Sequence, residues 1–176
     1  SDLLVDSENK LWVATVNGLN KYIASKDHFE HFETKDDLSV IFEDRFGKLW
    51  IGTSGSGLIY FDREKQKLVS YNNFENTPSS LSDDSVNEIM EDDRGYLWIG
   101  TSDGLKRISP DRDDIRTYTA EKNDPGVISD NAITKLLQDS KGRLWVGTEN
   151  GLNLYSYAKD RFETYTHDSS DPQSLI

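Results

Sequence analysis

One ten-residue pattern occurs four times along the chain, and no other feature constrains the fold as strongly. The copies are Asp6-Ser-Glu-Asn-Lys-Leu-Trp12-Val-Ala-Thr15, Asp44-Arg-Phe-Gly-Lys-Leu-Trp50-Ile-Gly-Thr53, Asp92-Asp-Arg-Gly-Tyr-Leu-Trp98-Ile-Gly-Thr101 and Asp139-Ser-Lys-Gly-Arg-Leu-Trp145-Val-Gly-Thr148. Each is followed by a Gly-Leu pair, at Gly18, Gly57, Gly104 and Gly151. All four tryptophans sit at the same repeat position, at spacings of 38, 48 and 47 residues. Repeats of this length are supersecondary units that bury their faces against one another.

Each repeat reads as four short strands. The first is apolar and ends at the Asp, as in Ile41-Phe42-Glu43 and in 132–138; the second carries Leu-Trp-Ile/Val-Gly-Thr. The third follows the Gly-Leu pair, and the fourth is aromatic or β-branched, as in 68–71, 115–118 and 162–165. No window sustains a helical period over three turns. The expected fold is therefore all-β: a β-propeller of four blades, each of four antiparallel strands, as a partial array or a small ring. The blades span approximately 1–38, 39–85, 86–131 and 132–176.

The turn residues agree. Asp-x-x-Gly between the first two strands fits a type I turn closed by a residue at positive φ, with the Asp accepting from turn N–H groups. Asn9 replaces Gly47, Gly95 and Gly142 in the first repeat, and Asn is the next most tolerant residue there. Asn17-Gly18, Asp103-Gly104 and Asn150-Gly151 are tight-hairpin signals.

The formal net charge of −12 works against nucleic acid and anionic membranes as partners. No apolar run reaches spanning length, so no direct membrane contact is expected from this segment. Zero cysteines exclude thiol catalysis and cysteine-ligated zinc. No cofactor or metal is expected. His28 and His31 fall on opposite faces of one strand, the Asp111-x-Asp113-Asp114 run lacks the Gly and distal Glu of a calcium loop, and no phosphate-binding Gly loop is present.

The Asp-x-x-Gly-x-Leu-Trp-Ile/Val-Gly-Thr…Gly-Leu pattern resembles the two-component-regulator propeller repeat over essentially the whole chain. The links at 76–83, 123–130 and 170–175, with their Pro and Ser-Leu or Val-Ile, are similar to the linker of that family. The resemblance implies the periplasmic sensor region of a hybrid two-component histidine kinase/response regulator, one that recognises oligosaccharides or other small nutrients and signals across the membrane. It also implies an excerpt of a longer propeller sensor domain. An open arc of four blades would leave two faces bare. Closure as a four-bladed ring, or a dimer completing a larger ring, is therefore expected.

A residue that every repeat requires serves every repeat, so Asp6, Asp44, Asp92 and Asp139 are read as structural rather than as an acid/base or metal set. Function is expected where repeats differ, on the rim shared by the second-to-third-strand turns and the links between blades. There Ser54, Ser56, Asp84, Asp103, Asn131 and Asn150 offer hydroxyl, carboxylate and amide groups suited to sugar hydroxyls. Lys106-Arg107 departs most from the other repeats and is read either as a ligand contact or as a solvated strand pair. An alternative is a structural or protein–protein interaction propeller. A propeller glycosidase or lyase also stays open, because its paired carboxylates are defined by a spatial separation.

Overall fold

The computed structural model describes residues 1–71, 85–121 and 126–175. Its regular elements are sixteen strands in four four-stranded sheets, each running in chain order. Blade 1 comprises β1 (Asp2–Val5), β2 (Leu11–Thr15), β3 (Gly18–Ile23) and β4 (His28–Glu33). Blade 2 comprises β5 (Leu38–Glu43), β6 (Leu49–Thr53), β7 (Leu58–Asp62) and β8 (Lys67–Ser70). Blade 3 comprises β9 (Val86–Glu91), β10 (Leu97–Thr101), β11 (Gly104–Ile108) and β12 (Ile115–Tyr118). Blade 4 comprises β13 (Ile133–Gln138), β14 (Leu144–Thr148), β15 (Gly151–Ser156) and β16 (Arg161–Tyr165). The all-β, four-by-four reading of the sequence holds, and the strands pair antiparallel within each blade.

The repeated Asp explains why each meander forms where it does. In blade 2, Asp44 Oδ1 accepts from the backbone N–H groups of Phe46 and Lys48, and Oδ2 accepts from Trp50 Nε1 at 2.8 Å. Blades 1 and 3 repeat this through Asp6 with Trp12 and Asp92 with Trp98, each at 2.8 Å, and blade 4 through Asp139 with Trp145 at 3.0 Å. One carboxylate thus closes the turn and satisfies an indole N–H that burial would otherwise leave orphaned. The turns take positive φ at Gly47 (77°), Gly95 (88°) and Gly142 (72°), and at Asn9 (58°), as the exchange in the first repeat anticipates.

The repeat Thr has a matching task at the next hairpin. Thr15, Thr53, Thr101 and Thr148 donate Oγ1–H to the carbonyls of Gly18, Gly57, Gly104 and Gly151 at 2.8–3.1 Å. A Cβ on Gly18, Gly104 or Gly151 would meet a carbonyl of the fourth strand at 2.4, 2.8 or 2.6 Å, so the close approach of backbones admits no side chain there.

Contacts divide the chain into two compact units, Ser1–Ile89 and Met90–Ile176, with the boundary inside β9. In the first unit, Trp12, Ala14 and Leu19 of blade 1 are buried against Leu38, Ile41, Leu49, Ile51, Ile59 and Phe61 of blade 2. Trp12 meets Phe61 with ring centroids 5.0 Å apart. In the second unit, Trp98 and Leu105 of blade 3 pack against Leu136, Leu144, Val146, Tyr155 and Phe162 of blade 4, with Trp98 and Tyr155 edge to face at 4.9 Å. Position, not only residue type, is therefore repeated: the Trp of the leading blade inserts against the third strand of the following one.

Polar latches accompany both seams. Arg63 of blade 2 reaches back to Asp6 Oδ2 at 3.1 Å, and Tyr157 of blade 4 donates to Asp92 Oδ2 at 2.6 Å. Glu43 accepts from the Ser7 N–H and hydroxyl, while Gln138 accepts from the Asp93 N–H and donates to its carboxylate. Burial would raise the Asp6 carboxyl pKa, but hydrogen bonds from Trp12, Lys10 and Arg63 outweigh it and hold the group below its ordinary range. The indole N–H of Trp145, followed by the Arg143 groups, does the same for Asp139.

Asp92→Ala removes the acceptor for one indole and two backbone N–H groups and should lower the unfolding free energy by about 3 kcal/mol in urea titration. Asp139→Ala should cost clearly less, because Trp145 is half-buried and water can replace the carboxylate. Because the folded pKa of Asp6 is depressed, its stabilising contribution is complete above the unfolded value of about 4 and is lost as pH falls through the folded one. Melting temperature should therefore change little between neutrality and about pH 5 and fall below about pH 4, with Asp6→Asn less steep over that acid limb.

Candidate functional site

The turns between second and third strands and the links between blades meet on one rim within each unit, as expected. In the first unit the Ser54 N–H donates to the Asp37 carbonyl. In the second, the Gly104 N–H donates to the Asn131 carbonyl and the Glu149 N–H to that of Ala132. The links are thus tied by backbone bonds to the hairpins beside them.

This tie brings together three of the residues selected from sequence. Asn131 Nδ2 lies 3.5 Å from Asp103 Oδ1, and Asn131 Oδ1 accepts from the Ala120 N–H at 2.6 Å. Next in the chain, Asp130 Oδ1 accepts from the Ala132 N–H, and its Oδ2 accepts from Asn150 Nδ2. Those two bonds hold the Asp130 carboxyl below its ordinary pKa, the Ala132 N–H contributing most. Asp103, Asn131, Asp130 and Asn150 therefore form a ribbon of carboxylate and amide groups, with Asp103 and Asn150 exposed. Asp130 is the member missed in the sequence. Its signal is the Asp that closes the link just before the first strand of blade 4.

Ser54 and Ser56 are on the rim of the first unit, Ser54 exposed and Ser56 half-buried, with the Ser56 N–H donating to Thr53 Oγ1. Asp84 lies outside the described residues.

Lys106 and Arg107 are not a solvated pair, and that reading is corrected. Lys106 is 5% exposed. It stands on the third strand of its blade where blade 1 has Asn20 and blade 4 has Asn153, two residues past the hairpin Gly. Arg107 lies on the other face of β11, its guanidinium 4.8 Å from the Tyr96 ring and 5.6 Å from Trp98. It donates to the Tyr155 hydroxyl and lies 3.4 Å from Asp160. Asp160 in turn accepts from Tyr118 at 2.7 Å and from Tyr155, and pairs with Arg116. Burial, then the contact with Tyr155, pushes the Tyr118 hydroxyl well above its ordinary range, so Tyr118 remains a donor at neutral pH. Its geometry joins blade 3 to blade 4 within the unit.

Among the described residues no group of three or more His, Asp or Glu side chains could hold a metal ion. His31 Nδ1 contacts Asn20 Oδ1 at 2.6 Å, and His167 Nδ1 contacts the Leu175 carbonyl at 2.7 Å. Asp111, Asp113 and Asp114 belong to the turn before β12, where Ser109 Oγ–H donates to Asp113 and accepts from the N–H groups of Asp113 and Asp114.

Residues 35–55, 80–103 and 128–150 match the two component regulator propeller family. Each matched segment contains one copy of the Asp-to-Trp turn described above. Three of the four repeats in the chain thus match two-component regulator propeller repeats. The chain is similar to the extracellular domain of a hybrid two component system from B. thetaiotaomicron. That domain is 26% identical over 99% of this chain and 23% of its own length, with a TM-score of 0.80. A second such domain from the same organism is 24% identical over 91% of this chain and 22% of that one, with a TM-score of 0.72. The chain therefore spans about a quarter of the domains it matches. Virginiamycin B lyase from Staphylococcus aureus shares the fold, at 14% identity and a TM-score of 0.70 over 96% of this chain and 55% of that one. No curated protein matches the sequence. The two domains from B. thetaiotaomicron are extracellular parts of signalling systems, whereas the lyase shows that an enzyme also uses this architecture.

Arg107→Ala should lower the unfolding free energy by about 2 kcal/mol, since it removes stacked rings and a hydrogen-bonded charge at one seam. Chemical denaturation checks this. An unchanged midpoint would return Arg107 to the list of groups available for a ligand.

Proposed function

We propose that the chain is a ligand-recognising segment in the extracytoplasmic sensor of a hybrid two-component signalling protein, with carbohydrate as the ligand class. The observation that carries the reading is the Asp103–Asn131 and Asp130–Asn150 ribbon on the rim of the second unit. Its link groups are fixed by hydrogen bonds from the backbone, and it presents flat acceptors and donors suited to hydroxyl groups. The similarity to extracellular domains of hybrid two component systems supports the signalling context. Ser54 and Ser56 supply hydroxyl groups on the corresponding rim of the first unit.

The repeated carboxylates are committed to indole and backbone N–H groups, which favours recognition over catalysis for this segment. Recognition is also favoured over a purely structural propeller. A scaffold needs the hairpin backbone, but has no requirement for the exposed Asp103 and Asn150 side chains to pair with link residues.

Titration calorimetry against a panel of neutral and acidic oligosaccharides tests the reading. A hit should lose about tenfold or more in affinity in Asp103→Ala and Asn150→Ala, with melting temperatures near the parent value. Binding that both variants retain in full would place the ligand elsewhere. Release of reducing ends from the same panel would mean hydrolysis.

A further inference from the structure

The outer strand of blade 4 turns backbone groups away from its own sheet. Phe162 of β16 stands opposite Tyr155 of β15, and its N–H donates outward, to the Gly126 carbonyl at 3.0 Å. Opposed residues of an antiparallel pair alternate between exchanging both bonds and directing both groups outward. Thr164, two residues on and opposite Asn153, therefore also directs its N–H and C=O outward. β16 is the last strand of its sheet, and the fourth strand is the perimeter of a propeller blade at any number of blades.

A hollow of about 390 Å³ opens beside these groups. Thr164 and Thr166, both exposed, line it from β16 and the residue beyond, and Ala120, Val127, Ile128 and Ser129 line it from the link. Contacts inside the unit hold the link in this place. Ile128 is buried with Tyr155 and Phe162, the Ser129 N–H donates to Asn153 Oδ1 at 2.8 Å, and the Ala120 N–H donates to Asn131 Oδ1 at 2.6 Å.

The length of free edge decides what fits there. Gly126 already holds the Phe162 N–H, and β16 ends at Tyr165, so Thr164 is the one further residue of the strand whose N–H faces outward. An added peptide strand takes its affinity from a row of main-chain bonds, and one residue offers no row. A sugar ring needs less. Thr164 presents a donor and an acceptor side by side, and the Thr164 and Thr166 hydroxyls are two residues apart, about 7 Å along an extended chain. Ala120 and Val127 add apolar carbon suited to the face of a ring.

The hollow adjoins the ribbon through the chain itself. Ser129 of the hollow precedes Asp130 of the ribbon, and Ala120 is the residue that Asn131 holds. We propose that the hollow is a second sugar subsite, so that the ligand is an oligosaccharide of at least two rings, one on the ribbon and the next against Thr164. The Thr164 N–H donates to a hydroxyl of the second ring, and the Thr164 carbonyl accepts from the hydroxyl beside it. This rests on the ribbon being the carbohydrate site, and adds to it a minimum length of ligand and the residues that read that length.

Calorimetry and amide NMR on the full chain test the subsite, with glucan, xylan, mannan and galactan fragments of one, two and three rings as probes. In a series that binds, the two-ring member should bind about tenfold or more tighter than the single ring. It should also shift the Thr164 and Thr166 amide signals, which the single ring leaves in place. Thr164→Trp fills the hollow from an exposed position, and should bring the two-ring affinity down to that of the single ring with the melting temperature near the parent value. Equal affinity along the series, still lost in Asp103→Ala, would overturn the subsite and leave the ribbon reading standing. So would a two-ring gain that Thr164→Trp leaves intact, or Thr164 and Thr166 signals that no fragment moves. A panel in which no series binds would overturn the subsite together with the ribbon.

Discussion

A buried indole N–H must have an acceptor, and in this protein the acceptor is supplied six residues earlier by the carboxylate that also closes the preceding turn. That single requirement couples three levels of structure. It fixes the turn, because Asp Oδ1 is held by two N–H groups of the loop. It fixes the Trp rotamer, because Oδ2 is left as the partner for Nε1. It then fixes the seam between blades, because a Trp so oriented presents its ring to the third strand of the next blade. The carboxylate is nearly buried in blades 1 to 3, and burying a charge is tolerable only with such a full complement of donors. Within each unit the following blade adds one more, Arg63 to Asp6 and Tyr157 to Asp92. Intra-blade geometry and inter-blade adhesion therefore share one group of atoms.

Much of this was legible because the responsible contacts are local. Asp44 to Phe46, Lys48 and Trp50 are two, four and six residues apart, so the repeat displays them as a fixed string. Asn9 at φ 58° was legible for the same reason: its three counterparts are Gly. The latches were not legible. Arg63 meets Asp6 across 57 residues and Tyr157 meets Asp92 across 65, and one donor is a guanidinium where the other is a phenol. Different side chains at unequal spacing leave no pattern in a single sequence, although each performs the same task.

The candidate site divides along the same line. That the rim would be built from hairpins and links followed from strand order alone, and Asp103 with Asn131 met there as expected. Lys106 and Arg107 show where difference between repeats misleads. They are unlike their counterparts because each solves a packing problem peculiar to its blade: Arg107 sits among four aromatic rings, and Lys106 is enclosed at the position that receives Asn153 in blade 4. A residue that departs from the repeat can thus answer to a ligand or to a neighbour. Only burial separates the two.

Blade 1 carries this argument to the face that no blade covers in its own unit. Six residues past the hairpin Gly, blade 2 has Arg63 and blade 4 has Tyr157, the latch donors; blade 1 has Ala24. One residue before the repeat Asp, blades 2 and 4 have Glu43 and Gln138, which cap the turn of the leading blade; blade 1 has Val5, 62% exposed beside Leu3 at 67%. A seam formed on this face would have apolar area but neither polar latch. Apolar contact without a buried charge to satisfy carries little penalty when it opens, whereas separating Arg63 from Asp6 would strand a carboxylate. The sequence of blade 1 thus suits a reversible seam, and that of blades 2 and 4 a permanent one.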